Sequence, residues 1–99
     1  SDDIHLAAQS NSTVVILMGV KNLATIVAAF KSEGKNTLPI AIIQNGTLPN
    51  QREVVGTIEN IENLAQEAQI GAPAIIIIGE VVKSNIALRT VLEQQIHFN

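Results

Sequence analysis

Three short runs leave this chain few ways to fold. TVVILM (Thr13–Met18), PIAIIQ (Pro39–Gln44) and AIIII (Ala74–Ile78) are apolar stretches rich in β-branched residues. A strand wetted on one face alternates polar with apolar residues, whereas a strand covered on both faces has no need to. Each run therefore predicts a strand buried on both sides. Between them, apolar residues recur at helical spacing: Leu23, Ile26, Val27 and Phe30, then Ile61, Leu64, Ala65 and Ala68. Leu88, Val91, Leu92 and Ile96 repeat the pattern near the end. Asn22, Asn60 and either Ser84 or Asn85 stand where helix N-caps belong, and Gly34 and Gly71 where the first two helices should stop. Only Arg52–Ile58, REVVGTI, alternates as a half-exposed strand does.

Doubly buried strands alternating with helices predict an α/β fold, a single three-layer domain with a mixed, mostly parallel sheet flanked by helices. The mixture comes from Arg52–Ile58, which follows a loop without a crossover helix and is expected to run antiparallel. Residues 1–12, polar and weakly patterned, are expected to form a lead-in segment, and residues 13–99 the domain. A chain of 99 residues has room for one core and not two.

Composition narrows the function. Hydrophobic residues at 46% and charged residues at 15% leave more apolar side chain than a core of this size hides, which predicts an apolar partner surface. The net charge is −3, the basic residues are scattered, and Phe30 and Phe98 are the only aromatics. Neither an electrostatic footprint nor a stacking platform for nucleic acid is present. The absence of cysteine removes thiolate metal sites and thiol nucleophiles. His5 and His97 lie at opposite ends without a second ligand at metal spacing, so no metal site is expected. No two glycines are two apart, and neither Lys21 nor Lys35 sits in a P-loop. No Ser–His–Asp set is recognisable, so no catalytic residue is assigned. No apolar run reaches the length of a membrane span and no secretion signal is seen; the cytoplasm is the expected location.

What remains are strand ends followed by turn residues: Met18-Gly19, Gln44-Asn45-Gly46-Thr47 and Gly79-Glu80. In open α/β sheets, ligands lie beyond the carboxyl ends of strands, and glycine there lets a ligand reach the backbone. The second of these opens the stretch IQNGTLPNQR. Asn-Gly could turn a hairpin in two residues. Here five more follow, Pro49 among them, before a strand resumes at Arg52. A loop of that length invites a functional explanation.

Taken in order, TVVILMGVKNL, PIAIIQNGTLPNQREVVGTIENI and APAIIIIGEVV resemble the C-terminal domain of the S-adenosylmethionine-dependent tetrapyrrole methylases. The resemblance runs from Thr13 to about Val82. A strand ending in Met-Gly, an Asn-Gly-Thr loop followed by Gln-Arg and Gly-Thr, and a Pro-Ala-strand-Gly-Glu-Val-Val ending are most similar to members that methylate uroporphyrinogen III at carbon. The resemblance implies the second half of a homodimeric two-domain enzyme on the route to sirohaem and cobalamin, inactive without its N-terminal domain. It implies S-adenosyl-L-methionine bound between the domains. Met18 and Gly46 match the family's cofactor contacts, with Gly19, Asn45 and Thr47 as flanking candidates. Arg52 is the one local candidate for the substrate's carboxylates. A non-catalytic α/β nucleotide-binding or interaction module is the alternative reading.

Overall fold

The three apolar runs form β1 (Val14–Met18), β2 (Pro39–Gln44) and β4 (Ala74–Ile78), and the alternating run forms β3 (Arg52–Thr57). They do so in a computed structural model that describes residues 2–18, 22–46, 48–71 and 73–97. The helices are α1 (Asp2–Gln9), α2 (Leu23–Ser32), α3 (Ile61–Ala68) and α4 (Asn85–His97), with a 3-10 turn at Glu80–Lys83 after β4.

The sheet corrects the expectation of mostly parallel pairing. Its strand order is β1-β4-β2-β3, and all three neighbouring pairs are antiparallel. The physical reason lies in two interlocked crossovers. β1 and β2, joined through α2, do point the same way, but β4 is inserted between them. β3 and β4, joined through α3, are likewise parallel, with β2 between them. Each crossover is the expected strand-helix-strand unit, opened by one strand's width to admit a strand of the other. The antiparallel direction expected of β3 against β2 is borne out.

Helices cover both faces, as a three-layer domain requires. Ile40 and Ile42 of β2 and Ile76 and Ile78 of β4 pack with Ala8 of α1, Ile26 and Phe30 of α2, and Ile61 and Ala65 of α3. Ala41, Ile43, Ile75 and Ile77 point the other way and pack with Val82, Leu88 and Leu92. The alternation follows from the two-residue period of a strand, so an all-apolar strand fills two cores at once. Each isoleucine fully withdrawn from water contributes roughly 1.5–3 kcal/mol, which makes β2 and β4 the energetic centre.

Two local features depart from expectation. The opening segment is helical: Ala8 is fully buried, Ile4 packs beside it, and Lys35 Nζ donates to the Ser10 carbonyl at 2.7 Å, holding the turn into β1. Two apolar residues four apart in a polar stretch were enough to seat a helix on α2. The second departure concerns helix ends. Ser84 Oγ accepts from the Ala87 amide at 3.2 Å and caps α4. Asn22 and Asn60 occupy the expected N-cap positions of α2 and α3, but neither makes a side-chain cap bond. Asn60 instead turns back, its Oδ1 accepting from the Thr57 amide at 2.8 Å. Gly34 closes α2 as expected, donating to the Lys31 carbonyl. α3 stops earlier than Gly71, at a left-handed Gln69 with φ 54.

Candidate functional site

The register of the sheet builds the candidate site. Met18 pairs with Ala74, Ala74 with Gln44, and Gln44 with Arg52. One row of residues thus crosses the sheet at a single edge. The carboxyl ends of β1 and β2 open onto that edge two strands apart, or about 10 Å at the usual inter-strand spacing. The start of β4 lies between them. Met18 and the Asn45-Gly46 turn, far apart in sequence, therefore come together. Gly79 does not join them: its amide donates to the Pro39 carbonyl at the opposite edge, because β4 runs in reverse. The third strand end singled out by the sequence belongs elsewhere. Gly19, Thr47 and the Met18 side chain lie outside the described residues.

The long loop between β2 and β3 is two successive turns. The Leu48 amide donates to the Asn45 carbonyl at 3.1 Å, and the Gln51 amide to the Leu48 carbonyl at 3.0 Å. Asn45 opens the first turn in the left-handed region at φ 56. Asparagine tolerates that conformation where a β-branched residue would be strained. The side chain of Asn45 is half-buried and Leu48 is exposed. Apolar residues Ile43, Leu88 and Leu92 floor a groove of about 520 Å³ on the α4 side of this edge, with Gln51, Glu53, Asn85, Arg89 and Glu93 around it.

Both residues that flank the loop reach across to the connection between α3 and β4. Gln44 Oε1 accepts from the Gly71 amide at 3.1 Å. Arg52 Nη1 donates to the Gln69 carbonyl at 3.3 Å, and its Nη2 donates to the Ala68 carbonyl. The Arg52 cation thus sits at the carbonyl end of α3, where helix polarity favours positive charge. The guanidinium expected as a clamp for substrate carboxylates is engaged within the domain. From the sequence, neither Gln44 nor Gly71 has an expected role in the site. Gln44 reads there as the last residue of a strand, Gly71 as a helix stop, and nothing local announces their contact. Among the described residues, no cluster of three or more His, Asp or Glu side chains could hold a metal ion, and no helix is long and apolar enough to cross a membrane.

This sheet edge, with a turn-rich loop beside a strand ending in methionine, carries the marks that pointed to one class of enzyme, and comparison with known proteins agrees. The chain belongs to the tetrapyrrole (corrin/porphyrin) methylase family, whose model matches residues 1–62. It is 50% identical over 76 residues to the uroporphyrinogen-III C-methyltransferase of Bacillus subtilis (strain 168), covering 76% of the chain and 16% of that protein. It is 43% identical over 81 residues to the S-adenosyl-L-methionine-dependent uroporphyrinogen III methyltransferase of Methanosarcina barkeri (strain Fusaro / DSM 804), covering 81% of the chain and 32% of that protein. The chain thus spans under a third of the length of these relatives. Among solved structures, uroporphyrin-III C-methyl transferase from Thermus thermophilus complexed with S-adenyl homocysteine matches with a TM-score of 0.68 and 27% identity. That match covers 82% of this chain and 36% of the other.

Proposed function

We propose that this chain is the C-terminal, cofactor-binding and dimerising half of an S-adenosylmethionine-dependent uroporphyrinogen-III C-methyltransferase, working in the cytoplasm on the route to sirohaem and cobalamin. The observation that carries the reading is the row from Met18 through Ala74 to Gln44, which sets the ends of β1 and β2 side by side at one edge. Had those strands pointed in opposite directions, the two matching motifs would lie at opposite ends of the domain. The names of the relatives supply the substrate and the methyl donor.

The residues present fit such a cofactor. Gly46 lacks a side chain, so a nucleoside can approach the backbone there, and Asn45 and Thr47 flank it on the loop. Met18, with Gly19 after it, would offer polarizable apolar surface. The cofactor, when bound, supplies a methyl group already activated on sulfonium. The chain's own task is then to hold donor and acceptor in line, an arrangement worth roughly 7–11 kcal/mol. That is consistent with a domain that carries no acid–base set. With a net charge of −3, the chain would repel a carboxylate-rich tetrapyrrole. The cationic groups that hold substrate therefore belong to the other half of the enzyme, and Arg52 contributes to the fold of the site more than to substrate. Exposed Leu6, Leu17, Leu48, Val55 and Ile86 provide apolar surface for a dimer or for the other domain.

Calorimetric titration of the complete polypeptide with S-adenosylhomocysteine tests the reading. Gly46→Asn should weaken binding at least tenfold, about 1.4 kcal/mol, while the ligand-free melting temperature moves by only a few degrees. No binding by the unaltered protein would leave the interaction-module reading in its place. Equal binding by both would mean that the loop is only a turn.

A further inference from the structure

We propose that Gln44 is a positioning residue for the cofactor loop, acting through the Gly71 amide. This deepens the reading given above and rests on it. Gln44 is the last residue of β2 and Arg52 the first of β3, and they are paired across the ladder as its final rung. Between them, the described residues 45–46 and 48–51 are loop. Inside that loop, the two turn bonds from Leu48 and Gln51 fix local shape. They do not fix where the loop stands relative to β1, the other strand end of the site.

Two side chains at the stems of the loop reach out to a neighbouring segment. Gln44 reaches the start of the segment leading into β4, and Arg52 reaches the end of α3, so both stems of the loop grip residues 68–71. The two grips differ in strength. Arg52 is exposed, and water competes for its donors. The Gln44 bond is partly buried. It satisfies a backbone amide that would otherwise lose its partner away from bulk water, the costly kind of loss. Space is also tight: a Cβ added at Gly71 would stand 3.2 Å from Gln44 Nε2. Gly71 leads into β4, whose first residue, Ala74, pairs on one side with Met18 and on the other with Gln44. Through this contact the side chain that precedes Asn45 is tied to the segment between the two cofactor-binding strand ends. The bond therefore sets the loop's position relative to Met18.

The test compares Gln44→Leu, which removes the acceptor, with Gln44→Glu, which keeps an oxygen that can accept from the Gly71 amide. Calorimetric titration of the complete polypeptide with S-adenosylhomocysteine is run beside amide hydrogen exchange at Gly71 and a thermal melt. Gln44→Leu should raise Kd about tenfold, the equivalent of roughly 1.4 kcal/mol, and should speed exchange at Gly71. Gln44→Glu should stay within about threefold of the unaltered protein, consistent with one retained hydrogen bond. A Gln44→Leu protein that melts earlier but binds as tightly as the original would overturn the proposal and leave Gln44 purely structural. So would a Gln44→Glu protein as impaired as Gln44→Leu, since the accepting oxygen would then not matter. Failure of the unaltered protein to bind would instead overturn the cofactor reading itself, and the positioning role with it.

Discussion

Gly56 was part of the motif that pointed to the family, yet the structure gives it a packing role. It lies in β3, paired with Ile40 on the face covered by α3. A Cβ at this position would stand 2.5 Å from Asn60 Oδ1 and 2.6 Å from Leu64 Cδ1, both of which must move out to the 3.4 Å of ordinary contact. Both atoms end side chains that can turn aside, so Gly56→Ala overpacks the β3–α3 contact at the low end of the usual range, roughly 1 kcal/mol. Displacing Asn60 also breaks its 2.8 Å bond from the Thr57 amide. That loss adds roughly 0.5–1.5 kcal/mol, giving a total of about 1.5–2.5 kcal/mol. Equilibrium urea unfolding followed by circular dichroism reads this directly. With a slope of about 2 kcal/mol per molar urea, the midpoint should fall by roughly 1 M. Leu64→Ala placed in the Gly56→Ala background should be less harmful than its effect in the unaltered protein, because the new methyl would occupy part of the space it leaves. A stability loss under about 0.5 kcal/mol for Gly56→Ala, typical of an unconstrained surface change, would refute the argument. It would mean that α3 does not sit as tightly on β3 as the distances state.

The left-handed Asn45 makes a second test: Asn45→Val should lower stability by roughly 1–3 kcal/mol and Asn45→Gly by well under 1, read from thermal melts. Sedimentation velocity at micromolar concentration should show a dimer, as the exposed Leu17, Val55 and Ile86 suggest. A monomer at every concentration would refute the dimerising role.

Much of this domain is legible one residue at a time. PIAIIQ and AIIII announce strands covered on both faces, because only a strand with helices above and below can hide side chains pointing both ways. The bounds expected for both runs agree with β2 and β4. The amphipathic stripes of α2 and α3, the half-exposed pattern of β3 and the turn-rich loop between β2 and β3 are equally local. So is the family, since its marks are short motifs in fixed order. Which strand lies next to which is a different kind of question. The pattern strand-helix-strand fixes the relative direction of two strands but not whether a third fits between them. Only the packing of both crossovers together inserted β4 between β1 and β2 and made every pairing antiparallel. The site shows the same division. Asn45 and Gly46 could be picked out by the local chemistry of the turn. The placement of Gly79 at the far edge, the engagement of Arg52 with α3 and the bond from Gly71 to Gln44 could not. The last of these joins residues 27 apart along the chain, and Arg52 and Gln69 are 17 apart. Contacts of that span leave no trace in neighbouring residues, because their partners meet only after the sheet has set its register.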